Sequence, residues 1–373
     1  MTIGVLLEAS PETRVSLLPG HVTELKKKGI AVLVQSEAGK RAFASDEAYI
    51  AAGAKIVSKH EVLSLSDIIL SMHLHHENEW KDKVFVGNYQ PLFKPAQMQQ
   101  LATHNCSVFS LDMLPRTTRG QAMDILSSQA NIAGYKAVLM AAQLLPKYFP
   151  MFMTAAGTIK PAKVLILGAG VAGLQAVATA KRLGAVVEVF DTRPAVKEEV
   201  QSLGGKFIEV EGAADASTAG GYAVEQSDDF KQRQKQRIAD SAAKADVIIT
   251  TASIPGKKAP ILITKEMIHS MTPGSVIIDL ASSTGGNTEI TENNNTVIYH
   301  FVSIVGDSNL AASAPADASK LYGKNVLNFV ELLTNKESQL YFNFEDDLVK
   351  GCCITHGGKV VNERVAGLIV DGS

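Results

Sequence analysis

The feature that most constrains this chain is a glycine turn between an apolar strand and a helix. Val164–Leu167 is a short apolar run, Gly168-Ala169-Gly170-Val171-Ala172-Gly173 follows, and Leu174–Leu183 then reads as a helix closed by Gly184. Each glycine has a separate physical task. Gly168 lets the chain turn sharply out of the strand, Gly170 lets backbone approach a pyrophosphate without a side chain between, and Gly173 lets the helix lie close to the sheet. The phosphates then meet the free N–H groups and positive dipole end of the helix. A lone G-x-G-x-x-G is a weak signal, and its context decides its worth. Here Val186–Phe190 reads as the next strand and ends in Asp191, 18 residues beyond Gly173. An acid at that place accepts hydrogen bonds from ribose hydroxyls and repels a 2′-phosphate, which predicts NAD rather than NADP. The plain alternative is a strand–turn–helix bend with a surface aspartate. Arg193 argues the other way, since an arginine just past the acid tolerates a phosphate.

The same alternation continues along the chain. A helix is expected over 196–203, a strand over Phe207–Val210, a polar helix over Asp228–Ala243, strands at Val247–Thr250 and Val276–Leu280, and a helix over 264–271. Residues 211–227 are rich in Gly, Ala and Ser and carry no periodicity; loops of that length in compact domains are usually functional or disordered. The N-terminal part alternates too. Ile3–Leu7, Ile30–Val34, Ile56-Val57 and Ile68–Leu70 read as strands, with helices after Pro19, after a Ser45 cap over Asp46–Ala52, and after the capping-box pattern Ser58–Glu61. Thr118 and Gln121 are spaced as a further capping box, opening a helix expected to run toward Leu145. A helical pattern returns from Ala316 to Leu333, ahead of a small packed tail. Strand–helix alternation implies parallel sheets covered by helices. The reading is therefore α/β, with two Rossmann-like doubly wound domains, the second inserted in the first: 1–140 plus 310–373, and a nucleotide-binding domain over 145–305.

Composition narrows the function. A length of 373 residues suits two domains of roughly 150 residues each. A formal net charge of −2 announces no basic surface, so nucleic acid is not an expected partner. Three cysteines without Cys-x-x-Cys spacing argue against a disulfide framework or a zinc site and fit a reducing compartment. No signal segment is visible, and the longest apolar stretch, 138–157, is broken by Gln143, Pro146, Lys147 and Pro150, so no membrane span is expected.

Three other constellations have two readings each. Arg116 precedes Gln121, Asp124 and Ser127, which recur every three residues near one helix face. They could contact a nicotinamide and its ribose, but spacing alone favours a cap at Gln121 and a dipole-matched acid at Asp124. His73, His75 and His76, with Glu77 and Glu79 nearby, complete no recognised metal spacing and read as a solvated strand-end loop; no metal is expected. Tyr222, in Gly220-Gly221-Tyr222-Ala223, is placed to close over a nucleotide or simply to face solvent, and spacing does not separate the two. The candidate nucleotide contacts are thus Gly168, Gly170, Val171, Ala172 and Gly173 of the turn. Beyond it they are Asp191, Thr192, Arg193, Tyr222 and Ala252.

Several longer motifs carry a family likeness. Pro115-Arg116 through Ser127-Ser128-Gln129-Ala130-Asn131-Ile132-Ala133-Gly134-Tyr135, Met153-Thr154-Ala155-Ala156-Gly157-Thr158, Ile254-Pro255-Gly256-Lys257 and Pro273-Gly274-Ser275-Val276 resemble the alpha subunit of the proton-translocating NAD(P) transhydrogenases, at its NAD(H)-binding component. The resemblance covers nearly the whole chain. It implies that this component binds NAD(H), that a separate component binds NADP(H), and that a membrane component conducts protons. Hydride then passes directly between the nicotinamides. It further implies that Arg116, Gln121, Asp124 and Ser127 position the NAD(H) nicotinamide, that Tyr222 belongs to the loop closing on NAD(H), and that Asp191 is the ribose acid. A homodimer is the usual state of that component. The chain reaches Ser373 with no membrane helix and so resembles the split form, expected in the cytoplasm and held peripherally at the inner membrane by its partner subunits.

Alanine dehydrogenase shares this architecture and is the nearest rival. Arg14, in Glu12-Thr13-Arg14-Val15, matches that family's substrate arginine. The catalytic histidine's region here reads Tyr89-Gln90-Pro91, and Ser283 stands where that family has an aspartate ahead of Gly285-Gly286. Without such an acid/base group, oxidation of an amino acid is poorly supported. A non-catalytic NAD-sensing module is the third reading.

Overall fold

The computed structural model describes residues 1–74, 80–210, 212 and 227–370. The chain divides into two compact units, Met1–Gln129 with Ala312–Ser373, and Ala130–Ala311.

The first unit opens with β1 (Thr2–Val5), α1 (Pro19–Lys27), β2 (Ala31–Gln35), α2 (Asp46–Ala52), β3 (Lys55–Val57), α3 (Lys59–Leu65) and β4 (Ile68–Leu70). Helix boundaries follow side-chain chemistry. Ser45 Oγ accepts from Ala48 N and starts α2, while Ser58 and Glu61 bond each other's backbone N–H and start α3. Three elements with no clear sequence signal follow: β5 (Val84–Gly87), α4 (Pro95–Thr103) and β6 (Ser107–Ser110). Next comes a 3-10 turn, Arg119–Met123, and then α5 (Ile125–Leu144).

This start differs from the expected one. Thr118 makes no capping bond. Instead the Asp124 carboxylate accepts from Ser127 N (2.9 Å) and Ser127 Oγ (2.6 Å), so Asp124 satisfies the first turn and the helix begins after it. A carboxylate caps more strongly than a threonine hydroxyl because it adds charge to the dipole interaction. The division between units falls at Gln129/Ala130, inside α5, rather than at 140–145. A continuous helix has no linker composition to mark such a handover.

The second unit carries the hairpin β7 (Phe152–Thr154) and β8 (Gly157–Ile159), then β9 (Lys163–Leu167), α6 (Val171–Arg182), β10 (Val186–Phe190), α7 (Lys197–Ser202) and β11 (Lys206–Phe207). It continues with α8 (Asp228–Ala242), β12 (Val247–Thr250), α9 (Lys265–His269), β13 (Val276–Asp279), β14 (Asn295–Tyr299) and β15 (Val302–Gly306). The chain then returns to the first unit as α10 (Pro315–Val330), α11 (Asp347–Cys352), β16 (Cys353–His356), β17 (Lys359–Val360) and α12 (Glu363–Val370). The strand expected over Phe207–Val210 is shorter and earlier, at β11.

Both sheets have the same parallel core. The first runs β3-β2-β1-β4-β5-β6 and the second β11-β10-β9-β12-β13-β15. Each is the doubly wound order, with a switch point between its first and fourth strands, β1/β4 and β9/β12. The sheets are not wholly parallel: β16 and β17 extend the first antiparallel, and β14 closes the edge of the second antiparallel. Central strands are buried on both faces, as in β4, β12 and β13, which explains their uninterrupted apolar runs Ile-Ile-Leu, Val-Ile-Ile and Val-Ile-Ile. In the second unit Ala176, Val177 and Ala180 of α6 share one hydrophobic cluster with Val164 and Ile166 of β9. That packing seats the helix N-terminus over the strand end.

Candidate functional site

The glycine turn lies at the switch point of the second sheet. Gly168 has φ +105°, and a Cβ there would stand 2.4 Å from Thr251 Oγ1. Its N–H continues the ladder to Phe190 O at 2.8 Å, while Thr251 N bonds Leu167 O at 2.9 Å. The end of β9 is therefore held on both sides as the chain enters the turn. Gly173 is tighter still: a Cβ would sit 1.8 Å from Gly168 O. At Gly134 of α5 a Cβ would sit 2.1 Å from Ala172 O, so this helix also needs a glycine where it passes the turn. Gly170 is the contrast. It caps α6 in extended geometry, no side chain caps the helix, and a Cβ there would meet nothing within 4 Å. The first-turn N–H groups, with Val171 exposed and Ala172 beside it, form an uncapped helix N-terminus facing open space, which fits a pyrophosphate.

Asp191 sits at the end of β10 beside this turn. Its Oδ2 accepts from Ala169 N at 2.7 Å, so the acid is fixed to the turn itself. Arg193 supplies the rest, with backbone N and Nε on Oδ1 (2.8 and 2.9 Å) and Nη2 on Oδ2 (2.8 Å). Asp191, Thr192, Pro194, Lys197 and Glu209 edge a cavity of about 290 Å3. Tyr222 lies outside the described residues, as do His75, His76, Glu77 and Glu79.

Ala252, after β12, is held by a buried network that sequence spacing did not reveal. Asn287, fully buried, accepts from Ala252 N (3.0 Å) and donates to Ala252 O (2.9 Å) and Pro260 O (2.8 Å). Asn287 N in turn donates to Asp279 Oδ2 at 2.6 Å, and Asp279 also accepts from Ala281 N and Thr291 Oγ1. A fully satisfied network of this kind fixes the loops after β12 and β13. Asp279 ends β13 and Asn287 lies eight positions on, in the segment after it, which gives no periodic signal.

The polar turn of the first unit is pinned from three sides. Asn325 and Asn328 of α10 both donate to Ala122 O at 2.8 Å. Arg119 grips Asp346 with two bonds of 2.7 and 2.6 Å and also reaches Asp347. Thr117 Oγ1 accepts from Gly120 N. On this frame Arg116 and Gln121 are exposed, while Asp124 and Ser127 bond each other. Among the described residues the Gln121 carboxamide makes no hydrogen bond, so it is not a cap.

A second polar cluster gathers after β1 and β4. Arg14 binds Glu12 through Nε and Nη2 (2.8 and 2.7 Å) and Gln129 through Nη1 (2.9 Å); His73 Nε2 also reaches Glu12, at 3.1 Å. Burial works against the Glu12 charge, but hydrogen bonds from Arg14 and His73 and the Arg14 charge outweigh it and hold the carboxyl well below the usual range. Glu8 goes the other way. Burial outweighs its bonds from Met72 N and His73 N, and its pKa rises from 4.5 to about 7. The fold therefore holds a proton on Glu8 that the unfolded chain has released, and the stability present below pH 4.5 is lost as pH rises through 7. Full ionisation costs roughly 3 kcal/mol. Glu8→Gln is expected to match the wild type in urea unfolding at pH 4.5 and to exceed it by about 1–3 kcal/mol at pH 8; equal stability at pH 8 would contradict this assignment. Of the residues that distinguish this chain from the rival dehydrogenase in the sequence reading, Tyr89 is fully buried and Gln90 lies in a left-handed turn (φ +51°), while Ser283 is exposed on a 3-10 turn.

Residues 4–133 match the alanine dehydrogenase/PNT N-terminal domain family and residues 137–363 its C-terminal domain family. The chain is 43% identical over 381 residues to the first portion of NAD(P) transhydrogenase subunit alpha from Rhodospirillum rubrum, covering 98% of this chain and 99% of that one. The chain belongs to the NAD(P) transhydrogenase alpha-subunit family. A solved transhydrogenase structure from Sinorhizobium meliloti superposes with a TM-score of 0.88 at 41% identity, covering 97% of this chain and all of that one. Alanine dehydrogenase is a more distant relative: the Mycolicibacterium smegmatis enzyme is 27% identical over 98% of this chain and 96% of its own length. Among the described residues no helix is long and apolar enough to cross a membrane.

Proposed function

We propose that this chain is the NAD(H)-binding component of a proton-translocating NAD(P) transhydrogenase. NAD(H) binds at Gly168–Gly173 and Asp191, NADP(H) binds on a partner subunit, and membrane-spanning subunits couple the transfer to proton movement. The bound nucleotides supply the chemistry, a direct hydride exchange between two nicotinamides. This chain's residues supply position and exclusion of water. The α6 N-terminus holds the pyrophosphate, Asp191 takes the ribose hydroxyls, and the Asn287–Asp279 network keeps the Ala252 segment in place. Arg116 and Gln121 orient the nicotinamide, with Asp124 and Ser127 fixing the helix start beneath them.

The observation that carries this reading past simple nucleotide binding is the pinned turn. A segment held by Asn325, Asn328 and Asp346 presents an arginine and an unbonded carboxamide outward. That is how a protein keeps polar groups ready for a ligand at small entropic cost. The missing proton-transfer groups at Tyr89-Gln90 and Ser283 favour a reaction that needs no protein acid or base. The R. rubrum relative is named as a portion of a subunit, which supports the need for partner subunits, and with them a place at the cytoplasmic face of the inner membrane. A homodimer is also proposed. Both strands of the β7–β8 hairpin are exposed and carry Phe152, Met153 and Ile159, and an isolated hairpin with such a surface is marginal in water; a second copy would cover it.

Purified protein should bind NADH in calorimetry, prefer it to NADPH, and show no NAD reduction with alanine or related amino acids. Robust amino-acid turnover would replace this reading with the dehydrogenase.

A further inference from the structure

Resting on the assignment of Asp191 to the ribose, the geometry points to Arg193 as an internal competitor for that acid, which sets how tightly and how selectively NAD(H) binds. An ionised carboxylate offers about four acceptor positions. Asp191 accepts four hydrogen bonds: Ala169 N, and the Arg193 backbone N, Nε and Nη2. The two backbone donors aim the carboxylate and are part of the chain's path through the turn. The two guanidinium donors, Nε on one oxygen and Nη2 on the other, form a bidentate clasp. A ribose diol donates at most two bonds. The positions it needs are those the Arg193 side chain holds, so the diol and the guanidinium exclude one another.

Nucleotide binding at Asp191 therefore requires the clasp to open. Asp191 is 7% exposed and Arg193 20%, so water reaches the arginine and can take up its donors when the clasp is broken. The clasp also spans only two residues of one loop, so opening it moves a side chain and no secondary structure. Its second effect is on selectivity. Lys197 lines the cavity beside Asp191 and pairs with Glu209 at 2.5 Å. Opening the clasp adds the Arg193 guanidinium as a second positive charge beside Asp191, and it offsets part of the repulsion between Asp191 and a 2′-phosphate.

The test is calorimetric titration of the full chain with NADH and with NADPH, for the wild type, Arg193→Ala and Arg193→Gln, with thermal unfolding as the check on folding. Removing the clasp is expected to tighten NADH binding about three- to tenfold in both variants and to leave NADPH binding no tighter, so that the preference for NADH widens. NADH binding that is unchanged or weaker in the well-folded variants would overturn the proposal, since it would mean that the arginine supports the nucleotide or leaves the acid accessible. Failure of the wild type itself to bind NADH would overturn the nucleotide assignment, and this inference with it.

Discussion

Replacing Gly173 with alanine is expected to lower NADH affinity about a hundredfold, or roughly 2.7 kcal/mol, and to destabilise the second unit. The added Cβ would stand 1.8 Å from Gly168 O. Both groups are backbone or backbone-fixed, so no flexible side chain can yield. The helix must move off the strand by more than an ångström, which separates Ala176, Val177 and Ala180 from Val164 and Ile166 and shifts the first-turn N–H groups. Overpacking of this kind typically costs about 1–3 kcal/mol of stability. Gly170→Ala separates the two effects. Gly170 has an ordinary negative φ of −78° and an open space around its ideal Cβ, so the variant should fold like the wild type yet place a methyl where the pyrophosphate approaches. Titration of both variants with NADH, alongside urea unfolding, checks this. Equal affinity in Gly173→Ala and the wild type would contradict the placement of the phosphates.

Arg116→Ala and Gln121→Ala are each expected to slow hydride transfer about a hundredfold while changing NADH affinity by less than about threefold. A misplacement of a reacting centre by about one ångström is enough for such a loss. The turn itself should survive either change, because its anchors are Arg119–Asp346 and the Asn325 and Asn328 bonds to Ala122 O, and neither mutated side chain contributes to those. The loss should therefore appear in the transfer rate and not in binding or in thermal stability. Single-turnover transfer within twofold of the wild type would return these residues to a surface role.

Much of the fold was legible in the sequence because local chemistry and tertiary packing agree. Ser45 and Ser58 cap the helices they precede, and the apolar runs at Ile68–Leu70 and Val247–Thr250 are strands buried on both faces. Where several local signals competed, the reading failed. Thr118 and Gln121 have capping-box spacing, but Asp124 offers a charged cap closer to the apolar run and wins. Strand β6 begins and ends in serine, so it looks polar. Its serines are nevertheless buried, and Tyr89 N donates to Ser110 Oγ, a partner that only the folded sheet supplies. Strand β14 is an exposed edge without alternation.

The candidate site divides the same way. The glycines and Asp191 were visible because their tasks are backbone tasks at fixed spacing. The Arg193 clasp was not, because spacing shows an arginine near an acid and not which donors reach which oxygen. Asn287 and Asp279 were invisible for a related reason: Asn287 donates to the Ala252 and Pro260 carbonyls and Asp279 accepts from Asn287 N, partners that only the folded chain brings together.

The most direct test of the account is hydride transfer between two proteins. This chain is mixed with an NADP(H)-binding transhydrogenase component, and reduction of an oxidised NAD analogue by NADPH is followed optically. The account predicts rapid reduction that requires both proteins and is lost in Gly173→Ala. No transfer from a mixture in which this chain demonstrably binds NADH would contradict it, and would leave a protein that binds the nucleotide without passing its hydride on.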